Sequence, residues 1–348
     1  MTYADALAAA WQAHLEPKTA SAPTVVSAFA GCGGSSLGYS MAGYRELLAI
    51  EWDDHAVGVF RANFPHVPVH HGDIAAVDPA CLGVAPGMLD VLDGSPPCQG
   101  FSTSGRRQID DPRNQLFREF VRLLRAWQPR AFVMENVSGM VRGQMKSLFA
   151  EILTELKAAG YRVTARLVDA SYLGVPQMRK RVIFVGVRCD LGPDPVHPAP
   201  ATRPRTVHEA LADLSCPGIF DVPSGKGSVL AALVPPGANG SATLMRRGGK
   251  GSFFNCVRLR WDRPANTITK EYRAANGAGL LHPDENRFMG VRELARLQSF
   301  PDEFDWGAGT YRQIHARIGN SVPPLMMRAV AETIRSEVLG KAGAARPS

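Results

Sequence analysis

Residues 88–102 read Met-Leu-Asp-Val-Leu-Asp-Gly-Ser-Pro-Pro-Cys-Gln-Gly-Phe-Ser. The apolar run over 88–92 has the length and content of a short buried strand. Pro96 and Pro97 lack backbone donors and fix φ, so a strand cannot continue through them. Cys98 is therefore expected on a stiff turn at the carboxyl edge of a sheet, where open α/β folds bind their ligands.

Working outward from this stretch, strands and helices alternate. Strands are predicted over 24–29, 47–50, 67–70, 89–92, 131–134 and 182–187 from β-branched and apolar runs. Between them, Met145, Leu148, Phe149, Ile152, Leu153 and Leu156 recur at three and four, one face of a helix over 144–159. Leu116, Phe117, Phe120, Val121, Leu124 and Trp127 do the same over 114–127. Such alternation implies an α/β fold with a doubly wound, mostly parallel sheet covered on both faces. The rhythm stops after Asp190. Residues 191–256 are rich in Pro and Gly, with only one clear helix near 207–214. Regularity returns over 291–298 and in a helix opened by Pro323-Pro324, since Pro suits a first helical position. A short helix over 3–14 and a Pro/Ala/Ser linker make 1–23 an appendage.

The bulk composition narrows the class. The chain has 348 residues, 45% of them hydrophobic and 20% charged, with a mean hydropathy of −0.09. No run approaches the roughly 18 apolar residues a bilayer span needs. The amino terminus lacks the basic region of a signal peptide. Six scattered cysteines (Cys32, Cys81, Cys98, Cys189, Cys216, Cys256) form no Cys-x-x-Cys pair, which argues against structural zinc and a disulfide framework. No metal site and a reduced cytoplasm are expected. The formal charge is +7. Nearly all of the excess lies in 246–273, where eight basic residues face only Asp262 and Glu271, a net +6. A basic stretch of this kind suits a polyanion.

Three strand ends bear on a cofactor. Phe29-Ala30-Gly31-Cys32-Gly33-Gly34 forms a glycine-rich turn before a helix, letting a ligand approach backbone N–H groups. Ser36 stands where a dinucleotide fingerprint needs its third glycine, which disfavours NAD. Glu51-Trp52 ends the second strand with an acceptor for ribose hydroxyls and a ring that can stack on a purine. Gly72-Asp73-Ile74 ends the third with another acceptor.

The Pro-Pro-Cys-Gln turn, the glycine loop with its Glu-Trp and Asp partners, Met134-Glu135-Asn136-Val137, Gln177-Met178-Arg179-Lys180-Arg181, the 292–301 helix and Gly319-Asn320-Ser321-Val322-Pro323-Pro324 occur in one order. Together they resemble the DNA (cytosine-5) methyltransferases over about residues 24–340. The resemblance implies an S-adenosylmethionine-dependent, Rossmann-like catalytic domain with a small irregular target-recognition domain. It divides the chain into a 1–23 appendage, a catalytic domain 24–190, a recognition domain 191–285 and a return to the catalytic domain over 286–340. It implies that Phe29, Gly31, Gly33, Glu51, Trp52, Asp73, Ile74, Asn320 and Ser321 bind S-adenosylmethionine. One departure is Ser27, where the family often has Asp.

Carbon 5 of cytosine is not nucleophilic. Adding a thiolate to carbon 6 makes it so, through an enamine, which is covalent catalysis by a low-pKa thiol. The resemblance gives that role to Cys98, hydrogen bonding at ring nitrogen 3 to Glu135, contact with base oxygen 2 to Arg181, and support of Glu135 to Arg179. A base inside a duplex must first be flipped out, and the loop over 100–113 reads as a lid closing on DNA. Expected DNA contacts are Gln99, Ser102, Arg106 and Arg107 near the nucleophile, and Arg246, Arg247, Arg258 and Arg260 in the basic stretch. The expected partner is double-stranded DNA, and the protein is expected to be a nucleoid-associated monomer of a bacterium or phage. Whether a cognate restriction endonuclease encoded elsewhere accompanies it stays open. Two alternatives stand beside this reading. A transfer-RNA cytosine-5 methyltransferase is disfavoured by Gly100, where that branch has Pro. A non-catalytic DNA-binding relative is disfavoured by the retention of Cys98, Glu135, Arg179 and Arg181.

Overall fold

A computed structural model of the chain describes residues 2–97, 116–141, 145–251 and 256–341. Helix α1 (Tyr3–Leu15) precedes a seven-stranded sheet. Its strands are β1 (Thr24–Ala28), β2 (Arg45–Glu51), β3 (Val69–His71), β4 (Val91–Gly94), β5 (Ala131–Val137), β6 (Tyr161–Asp169) and, beyond the two-residue β7 (Gln177–Met178), β8 (Lys180–Arg188). The spatial order is β3-β2-β1-β4-β5-β8-β6. The first five lie parallel, and β8 runs antiparallel to both β5 and β6. Helices α2 (Gly34–Met41), α3 (Asp54–Asn63), α4 (Leu116–Trp127) and α5 (Met145–Ala158) connect strands. The expected doubly wound, mostly parallel sheet is thus the observed one.

Strand β6 has no counterpart among the predicted strands. It is an edge strand, and Arg162 and Arg166 alternate along it with only moderately apolar residues, so its pattern lacks the apolar run of the central strands. Charge on an exposed edge also blocks pairing with other chains. The central strands are different. All five residues of β1 are buried, and Ala131–Asn136 in β5 are as well.

One face of the sheet carries the apolar core, in which Val26, Ala28, Leu92, Phe132, Met134 and Phe184 pack with Phe120, Leu124 and Trp127 of α4 and Ile152 and Leu156 of α5. Phe132 stands edge-on to Phe120 and to Tyr161, with centroids 5.9 and 5.3 Å away, an arrangement that adds to plain area burial. Gly94 closes β4 under this layer. A Cβ there would lie 2.8 Å from the Phe120 ring, so the strand's last residue before the Ser95-Pro96-Pro97 turn must be small.

By compactness the chain divides into two units. The sheet unit comprises 13–169, 180–199 and 326–348; the other comprises 1–12, 170–179 and 200–325. The second unit holds α6 (Val207–Leu211), α7 (Lys226–Leu233), α8 (Gly240–Arg246), the short pairs β9 (Cys256–Arg258) with β11 (Gly279–Leu281) and β10 (Ala265–Asn266) with β7, and α9 (Val291–Leu297) and α10 (Tyr311–Asn320). The expectation of one clear helix over 191–256 is corrected, because α7 and α8 are also there. Each is short, and α8 is started by Asn239, whose side chain accepts the N–H of Ala242. The last helix, α11, spans Pro324–Ile334 and begins on its proline as expected.

Candidate active site

β1 stops at Ala28 because Phe29 turns to φ 57°, a conformation that costs a bulky residue. Gly31 and Gly33 follow at φ 57° and 95°. A Cβ on Gly33 would meet the Phe64 ring at 2.4 Å, whereas one on Gly31 would meet nothing within 4 Å. The loop is thus tight on one side and open on the other. Glu51, 9% exposed at the end of β2, shapes it: Oε2 accepts the N–H of Gly31 at 2.8 Å, and Oε1 accepts those of Trp52 at 2.9 Å and Asp53 at 3.0 Å. A carboxylate has about four acceptor positions, so Oε2 retains one. Trp52 is 77% exposed, which rules out a core role for its ring. Asp73 is exposed and caps the N–H of Ala75 at 3.0 Å, while the Ile74 side chain belongs to the core.

At the neighbouring strand ends, Glu135 of β5 is 8% exposed and Arg181 of β8 pairs with it, Nε to Oε1, at 2.8 Å. The antiparallel register sets Val137 opposite Arg181 and Glu135 opposite Ile183, which brings the two side chains together. Asn136, between them, donates from Nδ2 to the carbonyl of Pro96 at 3.2 Å and so ties β5 to the Pro-Pro turn. Sequence reasoning missed this role, although Asn next to Glu135 was the available signal. Cys98, Gln99, Ser102, Arg106 and Arg107, and all of the expected lid over 100–113, lie outside the described residues.

In the other unit Arg179, 2% exposed, donates to the carbonyls of Ile268 (3.0 Å), Gly319 (3.1 Å) and Ser321 (2.9 Å). Beside it, Gln177 donates to Oε1 of Gln298 at 2.6 Å and accepts the N–H of Ile268 at 3.1 Å; Gln298 in turn donates to the Ser321 carbonyl at 2.6 Å. This buried network fixes the Gly319-Asn320-Ser321 turn. The Ser321 hydroxyl donates to the Arg317 carbonyl at 2.7 Å, and Asn320 is exposed.

The basic stretch separates into two kinds of residue. Arg258 is 4% exposed and donates to the carbonyls of Val234, Ala231, His282 and Glu285 and to Oδ1 of Asn286, at 2.6–2.8 Å. It is therefore withdrawn from the expected DNA contacts, since its donors are committed inside the unit. Arg260 forms a two-pronged pair with Asp262 at 2.8 and 2.6 Å, which offsets its charge. Residues 245–250, with Arg246, Arg247 and Lys250, are exposed. Among the described residues no group of three His, Cys, Asp or Glu side chains could hold a metal, and no helix is long and apolar enough to cross a membrane.

A mostly parallel seven-stranded sheet with flanking helices, carrying a glycine loop, Glu51 and Trp52 on consecutive strand ends, defines the Rossmann-like methyltransferase fold. Solved structures share it. A candidate DNA modification methyltransferase encoded within an E. coli prophage covers 91% of this chain with all of its own length, at a TM-score of 0.68 and 26% identity. In sequence, the Type II methyltransferase M1.HphI of Haemophilus parahaemolyticus is 34% identical over 338 residues, 89% of this chain and 86% of its own. The Type II methyltransferase M.DdeI of Desulfomicrobium norvegicum is 33% identical over 371 residues, 89% and 88%. The C-5 cytosine-specific DNA methylase family matches residues 24–218 and 237–336, and the chain belongs to that family. Its activity is methylation of DNA cytosine at carbon 5.

Proposed function

We propose that this chain is the modification methyltransferase of a Type II system, transferring a methyl group from S-adenosylmethionine to carbon 5 of a flipped-out cytosine within a short duplex target. The observation that carries the reading is the buried Glu135–Arg181 pair on strand ends next to the Pro-Pro turn that leads to Cys98. The similarity to Type II methyltransferases of two bacteria supports the Type II assignment.

The residues around the glycine loop fit the cofactor. Gly31 leaves open space before its Cα, Glu51 keeps one acceptor position on Oε2 for a ribose hydroxyl, and the exposed Trp52 ring offers an apolar face for a purine. When bound, the cofactor supplies a methyl sulfonium electrophile. Within the protein, the Cys98 thiolate adds to carbon 6 and Glu135 hydrogen-bonds ring nitrogen 3, relieving the charge that develops on the pyrimidine. Arg181 holds the Glu135 carboxyl and directs its remaining N–H groups toward base oxygen 2. After methylation, loss of the carbon 5 proton and cleavage of the carbon 6–sulfur bond restore the aromatic ring and the thiolate. Exposed Arg246, Arg247 and Lys250 contact phosphates, and the enzyme acts as a monomer in the bacterial cytoplasm.

Bisulfite sequencing of DNA from a host expressing the chain tests the function directly. A short motif with every internal cytosine of one position protected is the expected result. Unmodified DNA with methylated transfer RNA would overturn it.

A further inference from the structure

The face of the sheet opposite the apolar core carries a polar layer. Register pairs Val25 with Val91 and Ser27 with Asp93, and Asp93 in turn pairs with Val133, so Ser27, Asp93 and, two residues beyond Val133, Glu135 share one face. Asp93 is 2% exposed. The Ser35 hydroxyl hydrogen-bonds to its carboxyl, and the Tyr39 hydroxyl donates to Oδ1 at 3.4 Å. Both come from α2, four residues apart and hence on one side of that helix. Ser36 donates to Oε1 of Glu46 on β2 at 2.9 Å, and its hydroxyl lies 3.3 Å from that of Ser27.

A carboxyl in such a place needs a reason, because burying one costs several kcal/mol or more unless it is hydrogen-bonded or neutral. Its location supplies one. Ser35 lies in the first turn of α2, directly after the glycine loop, and Asp93 lies in β4, five residues before Cys98 in the sequence. We propose that Asp93 is a positioning residue that fastens the cofactor loop to the nucleophile strand, gripping α2 through Ser35 and Tyr39 from the position beside Ser27. This rests on the reading of the glycine loop as the cofactor site.

The grip works with a neutral acid. Burial pushes the Asp93 carboxyl up to about 8, with the charges of Glu46 and Glu135 adding to the rise and the Ser35 and Tyr39 hydrogen bonds opposing it. Burial likewise pushes Glu46 up to about 7, against hydrogen bonds from Ser27 and Ser36. Among the described residues, the charged and titratable groups facing Asp93 are these two carboxyls and the Tyr39 phenol, whose own ionisation burial pushes well upward. Raising the pH through 8 therefore puts a further negative charge on the buried face that carries Glu135, a repulsion and desolvation cost that the Ser35 and Tyr39 hydrogen bonds only partly offset. The same shift sets the sign for stability. An acid whose folded-state value is raised gives its full contribution below its unfolded value near 4, and that contribution is lost as pH rises toward about 8.

The test compares wild type with Asp93→Asn, Asp93→Ala and Glu51→Ala, reading S-adenosylmethionine affinity by calorimetry, turnover at saturating cofactor, and thermal midpoint. Asp93→Ala is expected to weaken cofactor binding and slow turnover about tenfold each, equivalent to about 1.4 kcal/mol. Asp93→Asn, which keeps shape and hydrogen bonding but cannot ionise, should restore both near neutral pH. It should also hold affinity and melting temperature level up to about pH 9, where wild type declines. Wild-type affinity for the cofactor in Asp93→Ala, or an alkaline decline in Asp93→Asn equal to that of wild type, overturns the proposal. If Asp93→Ala does not fold, the pH comparison with Asp93→Asn decides alone. Wild type that binds no S-adenosylmethionine overturns the cofactor reading itself, and a Glu51→Ala loss without an Asp93→Ala loss overturns the coupling alone.

Discussion

Arginine means different things in the two units of this molecule. In the sheet unit, Arg181 stands at a strand end and its partner is a carboxylate, Glu135, next to Asn136, which holds the Pro96 carbonyl. In the other unit, Arg179 and Arg258 lie under the surface and donate to three and four backbone carbonyls respectively, with Arg258 also reaching an Asn side chain. A regular sheet aligns its ends by hydrogen-bonded register and needs no side chain to do so. An irregular unit leaves many carbonyls unpaired by secondary structure, and a guanidinium with five donors can satisfy several at once. Basic composition is therefore a poor map of nucleic-acid contacts until the buried arginines are subtracted.

The comparison breaks most readily at Arg258. Replacing it with Ala leaves three buried carbonyls and the part-buried Glu285 carbonyl without their donor and opens a cavity, an expected loss of roughly 3–4 kcal/mol that thermal or urea unfolding will register. A melting curve unchanged from wild type would mean that Arg258 is not the organising group of its unit. Next in size is Glu51→Ala, expected to weaken S-adenosylmethionine binding by roughly 1.5–3 kcal/mol, since it removes an acceptor and three backbone contacts that shape the glycine loop. Calorimetry giving the wild-type dissociation constant would move the cofactor elsewhere. The smallest effects belong to Arg246 and Arg247. Each Ala variant should weaken all duplexes alike and lower the salt slope by about one, while Arg260→Ala, already paired with Asp262, should change the slope less. Equal slopes for all three would erase the distinction between paired and exposed arginines.

Much of this was readable in the chain. The central strands announce themselves as apolar runs because they are buried on both faces, and the prolines at 96 and 97 and at 323 and 324 mark a strand end and a helix start. The glycine loop, Glu51 and Glu135 lie at strand ends where the resemblance puts them. What stayed hidden was pairing across the chain. Arg181 and Glu135 are brought together only because β8 runs antiparallel to β5, and a sequence pattern gives no orientation for an edge. Gln177 and Gln298 are 121 positions apart and fully buried, which polar residues in an isolated sequence do not reveal. Helices α7 and α8 are too short for periodicity to declare them.

The central claim is that the sheet unit carries covalent cytosine chemistry, with Cys98 as nucleophile and the Glu135–Arg181 pair supporting it. A duplex bearing 5-fluorocytosine at the target, incubated with S-adenosylmethionine, tests this most directly, because fluorine cannot leave carbon 5 as a proton does and the enzyme stays attached. Wild type should give a denaturant-stable protein–DNA adduct whose tryptic mass maps to the peptide containing Cys98. Cys98→Ala should give none while still binding the cofactor, and Glu135→Gln should form adduct more slowly by a factor of about 100 or more, the scale of a lost acid catalyst. An adduct formed by Cys98→Ala, or methylated cytosine produced by it, would contradict the account.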